Sequence, residues 1–340
     1  MLHIYRVHFI DIKFIEAAFF GVLPMLTGSP GLRPAGTLGL GIIPMGLSSI
    51  DTAPFGVGLP PDSSPEGRER NKAMFKGMVN EVMASPQQTF EKILEELNCK
   101  NPGRFLLDLV YLLPDIFLQM CIPSVEYPRS DAPDSIRFGG GMAKGQRDAF
   151  SNPPSWWSEV VENKTKKIIG VSQGSVAMNF TDLVIPTMTG LANEEDILVV
   201  VALGKKGAAL PEGTLIPANA RVADFIPFDE LMPYCSAFIS NGGYGTFQHC
   251  VSHALPIIIG GETEDKPEVA GRAEWCGIGI NLHTATPAPE LILSSVSEII
   301  SNPKYKKRAL ELETEMGTFD PIGVIIQNIE DLAAGNHLKG

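Results

Sequence analysis

Cysteine is scarce in this 340-residue chain, and the five present are Cys99, Cys121, Cys235, Cys250 and Cys276. Their number is odd, their spacing wide, and no C-x-x-C occurs. That argues against a disulfide framework or a zinc site and fits a reducing compartment. Positive charge is also short: 27 Lys and Arg face 39 Asp and Glu, for a net charge of -12. Nucleic acid and anionic membrane surfaces select clustered Lys and Arg, so neither is expected as a partner. Long apolar runs are missing too. The best, "FIEAAFFGVLPML", is short and carries Glu16 and Pro24, which rules it out as a transmembrane span. The opening "MLHIYRVHFIDIKF" lacks the charged region and clean apolar core of a signal peptide. A soluble, cytoplasmic protein is the expectation. Neither a Walker P-loop nor a G-x-S-x-G elbow occurs, and "GTLGLGIIPMG" only approximates a dinucleotide fingerprint, with Pro44 at the third glycine position.

What is present is an ordinary globular composition, 44% apolar and 19% charged, long enough for about two domains of ~150 residues each. The second half is the more legible. Strands are expected at "KKIIGVSQGS", "EDILVVVALG", "ARVADFIPF", "SAFISN", "PIIIGG" and "GIGINL". Helical stretches lie between them: "NFTDLVIPTMTGLAN", with Asn179 as N-cap, then "FQHCVSHAL" and "KPEVAGRAEWC". Alternating strands and helices call for a parallel sheet covered on both faces. "APELILSSVSEIISN" and "PKYKKRALELETEM" add two amphipathic helices. In the first half "FIEAAFFGVLPML" reads as a helix. "SIDTAPFGVGLPPDSSPEGRERN" reads as a long loop beside a site, and "NKAMFKGMVNEVMASPQQTFEKILEELN" as two helices broken at Pro86. "FGGGMAKGQRDAFSNPPSWW" marks a domain boundary. The organisation expected is a first domain over 1–141, a linker over 142–157, a second domain over 158–318 and a tail over 319–340 that returns to the first domain.

In an open parallel sheet, ligands bind beyond the carboxyl ends of the strands. Those ends carry Ser172-Gln173-Gly174-Ser175, then Phe225-Ile226-Pro227-Phe228, Ser240-Asn241-Gly242-Gly243 and Gly260 to Asp265. Four such ends in succession point to a nucleotide-type site. In "SNGGYGTFQHC", Gly243 and Gly245 let a helix start approach a diphosphate closely, and Thr246 offers a hydroxyl; a plain glycine turn is the competing reading. His249 and His253 have the four-residue spacing of metal ligands. "HCVSH" lacks the Glu of H-E-x-x-H and no third ligand stands nearby, so they are read as packed or surface histidines.

"VSQGS", "DFIPF" and "SNGGYGTFQHCVSHALPIIIGGETEDKPEVAGRAEWCGIGINL" together resemble the UDP-dependent family 1 glycosyltransferases of the GT-B fold, in the fungal and bacterial branch with an N-G-G-Y-G motif. "EYPRSDAPDSIRFGGG" and "SSIDTAPFGVGLPP" look like that branch's first domain. The resemblance implies an α/β protein of two Rossmann-like domains with parallel sheets, the first incomplete. It implies a UDP-sugar donor, a small lipophilic hydroxylated acceptor, an inverting transfer of a hexose, and no metal or bound cofactor. By resemblance, Ser172, Gln173, Gly174 and Ser175 meet phosphate. Phe225 stands where a Trp stacks on uracil, with Pro227 and Phe228 beside it. Asn241 replaces a phosphate-binding His. Gly243, Tyr244, Gly245 and Thr246 form the helix start that holds the diphosphate. His249 replaces a ribose-binding Glu. Asp265 and Lys266 match an Asp-Gln pair that reads the sugar. Asp11 matches the carboxylate that orients the family's base histidine. The segment carrying that histidine is expected to be missing, which makes a non-catalytic UDP-sugar-binding fragment or pseudoenzyme the alternative.

Overall fold

The computed structural model describes residues 12–31, 33–141, 150 and 152–335. Asp11 and most of the expected 142–157 linker lie outside them. The first unit contains β1 (Ile12–Glu16), α1 (Leu23–Thr27), β2 (Gly36–Gly41), α2 (Pro65–Gly77), α3 (Ala84–Glu96), α4 (Leu109–Leu112), β3 (Ile116–Gln119) and β4 (Ile136–Phe138). Its sheet runs β1-β2-β3-β4, all parallel. The second unit contains α5 (Ser158–Val161), β5 (Lys167–Ser172), α6 (Val184–Gly190), β6 (Ile197–Ala202), β7 (Ala220–Ala223), α7 (Phe228–Leu231), β8 (Ala237–Ser240), α8 (Tyr244–Ser252), β9 (Ile257–Ile259), α9 (Lys266–Trp275), β10 (Gly279–Asn281), α10 (Pro289–Ser301) and α11 (Pro303–Met316). Its six strands, also parallel, stand in the order β10-β9-β8-β5-β6-β7. The continuous β-branched runs of β5, β6 and β8 are buried along almost their whole length, as strands covered on both faces must be. The last helix, α12 (Pro321–Ala333), packs Leu332, Val324 and Ile329 on Leu38, Ile116 and Leu118 of the first sheet. No helix among the described residues is long and apolar enough to cross a membrane.

Three local expectations give way. "FIEAAFFGVLPML" is not one helix: Phe14 to Glu16 belong to β1, which pairs with β2 over its full length. Glu16 then accepts from the Ala18 amide at 3.0 Å, closing a turn before the short α1. The pairing of a β-branched segment outweighs the helical tendency of its alanines. Asn179 is not an N-cap. Its side chain bonds Thr181 and Asp182, and the helix begins only at Val184, where the Gln173 carboxamide oxygen accepts from the Leu183 and Val184 amides at 3.3 and 3.0 Å. A side chain from the preceding loop thus does the capping. The break between α2 and α3 falls at Met83 rather than Pro86, after a π-turn over Met78–Val82. Pro86 sits in the first turn of α3, where its missing N–H is not needed.

The loop between β2 and α2 is long, and carboxylates take up its backbone donors. Met45 N–H donates to Glu126 at 3.0 Å, Ser48 N–H to Asp108 at 2.8 Å and Ile50 N–H to Asp131 at 3.0 Å. Asp51 itself is 2% exposed. It accepts from the Ser130 amide and hydroxyl at 2.7 and 2.6 Å and from Arg68 at 2.8 and 3.0 Å. The Ser130 hydroxyl and amide, with Arg68, hold its carboxyl down at about 2. A buried loop is tolerable only when its N–H groups are paired in this way.

One cluster joins the two units. Arg272 of α9, fully buried, reaches Glu126 at 2.5 and 3.0 Å, Glu268 at 2.7 Å and the Met45 carbonyl at 3.1 Å. Its guanidinium lies 4.2 Å from the Tyr127 ring. Arg129 adds a second cation at 3.1 Å from Glu126. Burial alone would raise the Glu126 carboxyl, but Arg272 and Arg129 outweigh it and hold it below its ordinary value. Glu268 Oε1 accepts from the Gly56 and Gly58 amides, both at 2.9 Å, which fastens the loop to α9. Gly58 lies at φ +67, and a Cβ there would meet the Pro267 carbonyl at 2.6 Å, so this approach requires glycine.

Two outcomes follow from these contacts. Asp51 contributes stability above about pH 4, the ordinary carboxyl range, and that contribution is lost as pH falls through about 2. In urea melts the advantage of the native chain over Asp51→Asn should therefore be full at pH 6 and shrink toward pH 2; a constant advantage would count against the assignment. Arg272→Ala leaves Glu126 buried with half its compensation and should cost about 3–5 kcal/mol of unfolding free energy, measured by denaturant titration. Removing both charges together should cost less than the two single losses summed.

Candidate functional site

From its far edge the second sheet reads β7-β6-β5-β8-β9-β10. The chain winds outward from β5 to β7, then crosses back through α7 to start again at β8, beside β5. Where the winding reverses, the connections leaving β5 and β8 diverge and open a crevice beyond the carboxyl ends. Ser172 and Ser240, the last residues of these strands, are register partners. Each folds its outgoing loop in the same manner: Ser172 Oγ accepts from the Gly174 amide at 3.2 Å and Ser240 Oγ from the Gly242 amide at 3.1 Å. Gly242 lies at φ +93, which a side chain would resist.

A cavity of about 390 Å³ occupies this crevice, within the range of small-molecule sites. Of the expected residues, Gln173, Gly174, Ser175, Asn241, Gly243, Asp265 and Lys266 line it. Two helices begin at its wall. Gly243 is the N-cap of α8; no side chain caps that end and no acidic residue stands in its first turn. Its leading amides and the positive end of its dipole are therefore available to an anion. Asp265 is the N-cap of α9, again without a side-chain cap, and Lys266 is its first residue. The Lys266 ammonium is held by Thr263 Oγ1 at 3.1 Å and by Glu264.

The lining carries more negative charge than positive. Among the described residues the lining carboxylates are Asp182, Glu262, Glu264 and Asp265, and the lining cation is Lys266. Three of these carboxylates are engaged: Asp182 by the Asn179 amide group at 2.6 Å, Glu262 by the Ala285 amide at 3.1 Å, and Glu264 by Lys266. Burial raises the Asp265 carboxyl above its ordinary value. An anion entering here is therefore received by the helix starts and the 174–177 loop rather than by free side-chain cations.

Other expected residues lie elsewhere. Ser172, 1% exposed, shapes the loop without reaching the cavity. Phe225 is 41% exposed beyond β7, with the Lys206 ammonium 6.0 Å from its ring, and is not part of the wall. Pro227 caps α7, and the Phe228 ring packs edge-on against Phe238 at 5.3 Å and His249 at 5.7 Å. Gly245 and Thr246 belong to the first turn of α8 but do not line the cavity. The Tyr244 side chain is buried in an apolar cluster that also holds Cys121, Ile122 and Val125 of the first unit, while its backbone amide is the first of α8. His249 does not line the cavity either, and its Nδ1 lies 3.4 Å from Asp229. Residues 260–264, Asp182, Val176 and Ala177 also line the cavity. The glycine-rich end of β9 signals the first group; a solvent-facing apolar Val176 after "SQGS" is a weak sign of the last two.

With this geometry in hand, comparison with known proteins gives a consistent result. Residues 187–332 match the family model "Erythromycin biosynthesis protein CIII-like, C-terminal domain". The chain is 44% identical over 325 residues to UDP-glycosyltransferase 2 of Phaeomoniella chlamydospora, spanning 94% of this chain and 70% of the relative. It is 37% identical over 319 residues to UDP-glucosyltransferase A1 of Starmerella bombicola, spanning 94% and 67%. Among solved structures, the glycosyltransferase of kitacinnamycin aligns over 94% of this chain and 76% of its own, with a TM-score of 0.68 at 20% identity. A spinosyn rhamnosyltransferase complexed with thymidine diphosphate aligns over 93% and 72%, with a TM-score of 0.62 at 17% identity. The two parallel sheets, the crevice at the reversal of strand order and these sequence relatives agree: the chain belongs to the UDP-glycosyltransferases, family 1 glycosyltransferases of the GT-B fold.

Proposed function

We propose that this chain transfers a hexose from a UDP-sugar to a hydroxyl of a small lipophilic acceptor. The observation that carries the reading is the pair of uncapped helix starts, at Gly243 and Asp265, on one cavity at the reversal of strand order. In this reading the first turn of α8 receives the diphosphate. Its amides stabilise the charge that grows on the leaving phosphate as the glycosidic bond breaks, a task that matters most in the transition state. The 174–177 loop holds the second phosphate. Asp265 and Lys266, at the start of α9, face the sugar hydroxyls. Phe225 presents an exposed aromatic face on which uracil can stack. In this scheme Tyr244 contributes its backbone amide, its side chain being buried in the core, and the His249 ring stands beside Asp229. No residue is assigned as the base that takes the acceptor's proton.

An apolar acceptor is supported by a cavity of about 540 Å³ in the first unit, lined by Phe20, Pro24, Pro86, Phe90, Ile93 and Leu106. It lies on the segment that follows the carboxyl end of β1 and on α3. A second reading, UDP-sugar binding without transfer, is supported by two features: Asn241 brings no charge to stabilise a leaving phosphate, and the Lys266 ammonium is already paired with Glu264.

Calorimetric titration of UDP into the chain tests the site, with Gly243→Asp as the discriminating variant. Position 243 has φ -61 and ψ 132, and no atom stands closer than 3.8 Å to an added Cβ. Asp is a favoured N-cap, so the fold should hold its melting temperature or gain slightly. The new carboxylate should meanwhile occupy the amides and repel a diphosphate, lowering UDP affinity about 10- to 100-fold. No heat at millimolar UDP, or equal affinity in the variant, would contradict the site. Release of UDP from UDP-glucose with a panel of phenols and sterols separates transfer from binding alone.

A further inference from the structure

The two histidines at helical spacing acquire a third partner in the structure. His249 and His253 lie one turn apart on the same face of α8, and α7 brings Asp229 against them. His249 Nδ1 is 3.4 Å from Asp229 Oδ1, and His253 Nε2 is 2.9 Å from the same oxygen. The two rings are nearly parallel, 10° apart, with centroids separated by 6.5 Å. One ligand atom from each residue falls within 4.8 Å of the other two. We propose that Asp229, His249 and His253 form a binding site for a divalent transition-metal ion of the zinc type, outside the donor cavity.

The geometry favours this occupant. Zinc binds imidazole nitrogen and carboxylate oxygen at about 2.0–2.2 Å in a tetrahedron, which sets neighbouring ligand atoms about 3.3 Å apart. The observed 2.9 and 3.4 Å separations bracket that figure. Two imidazoles and one carboxylate are also a donor set that suits zinc over magnesium or calcium. The side chains are 18, 28 and 8% exposed for Asp229, His249 and His253, so the cluster is sheltered yet reachable. The Phe228 ring packs edge-on against His249 at 5.7 Å. The ion would tie the segment after β7 to α8, the helix whose other end opens on the donor cavity. None of the three residues lines that cavity, so sugar transfer is not routed through the ion.

The test uses the full chain, freed of metal with a chelator. It is titrated with Zn²⁺ by calorimetry and with Co²⁺ by visible absorption, where tetrahedral cobalt gives intense bands. One equivalent should bind, with the tetrahedral cobalt signature and a zinc-dependent rise in melting temperature. His249→Gln, at the most exposed ligand, and Asp229→Asn should each weaken binding at least about tenfold. His283→Gln, at a residue 70% exposed elsewhere on the surface, should leave it unchanged. Absence of binding at millimolar zinc, or binding that survives both substitutions, would overturn the site and leave a hydrogen-bonded His–Asp cluster.

Discussion

The buried ion pair between Glu126 and Arg272 is the constraint on which the arrangement of this molecule rests. Neither side chain is exposed to solvent, and the two residues lie 146 positions apart. Removing two charges from water is costly, and their mutual attraction repays it only where every remaining donor and acceptor is also satisfied. Here the condition is met from both units. Arg129 and the Met45 amide complete Glu126, while Glu268, Tyr127 and the Met45 carbonyl complete Arg272. Such a cluster tolerates little displacement, because shifting one unit against the other strands a charge without its partner.

The consequence reaches the site through α9. Its first residue lines the donor cavity, and two residues on, Glu268 holds the 56–58 loop of the first unit. One turn further, Arg272 enters the ion cluster. The α9 start that lines the cavity and the 56–58 loop of the first unit are therefore parts of one hydrogen-bonded assembly. The close packing at Gly58 and Gly271 reinforces it: a Cβ on Gly271 would meet the Gly58 carbonyl at 2.6 Å and the Tyr127 hydroxyl at 2.7 Å. Sequence-distant carboxylates and glycines thus set the distance between the donor cavity and the first unit.

How much of this the sequence shows depends on the range of the interaction. The β-branched runs of the second unit, and the polar and glycine residues that end them, are local patterns. They locate six strands and, through the rule for open parallel sheets, the crevice between β5 and β8. The direction of a side chain at a helix start is not local. Tyr244 reads as part of a phosphate motif, and nothing near it in the sequence says that its side chain joins a buried cluster with Cys121 and Ile122 of the first unit. His249 stands, by resemblance, at a ribose-binding position, and nothing near it in the sequence says that Asp229, twenty positions upstream, comes to its ring. Glu126 and Arg272 lie in segments that the family resemblance marks, but nothing in either segment says that they meet. In the first unit, strand pairing overrides the helical look of "FIEAAFFGV", since β1 needs β2 beside it to declare itself.

The most direct test of this account is a double-mutant cycle on Glu126→Gln and Arg272→Met, with UDP affinity as the readout. If the ion cluster holds α9 at the donor cavity, each single substitution should weaken UDP binding, and the double should weaken it no further than the worse single. Unchanged UDP affinity in both singles, in chains still folded by circular dichroism, would contradict it and reduce the cluster to a structural contact remote from function.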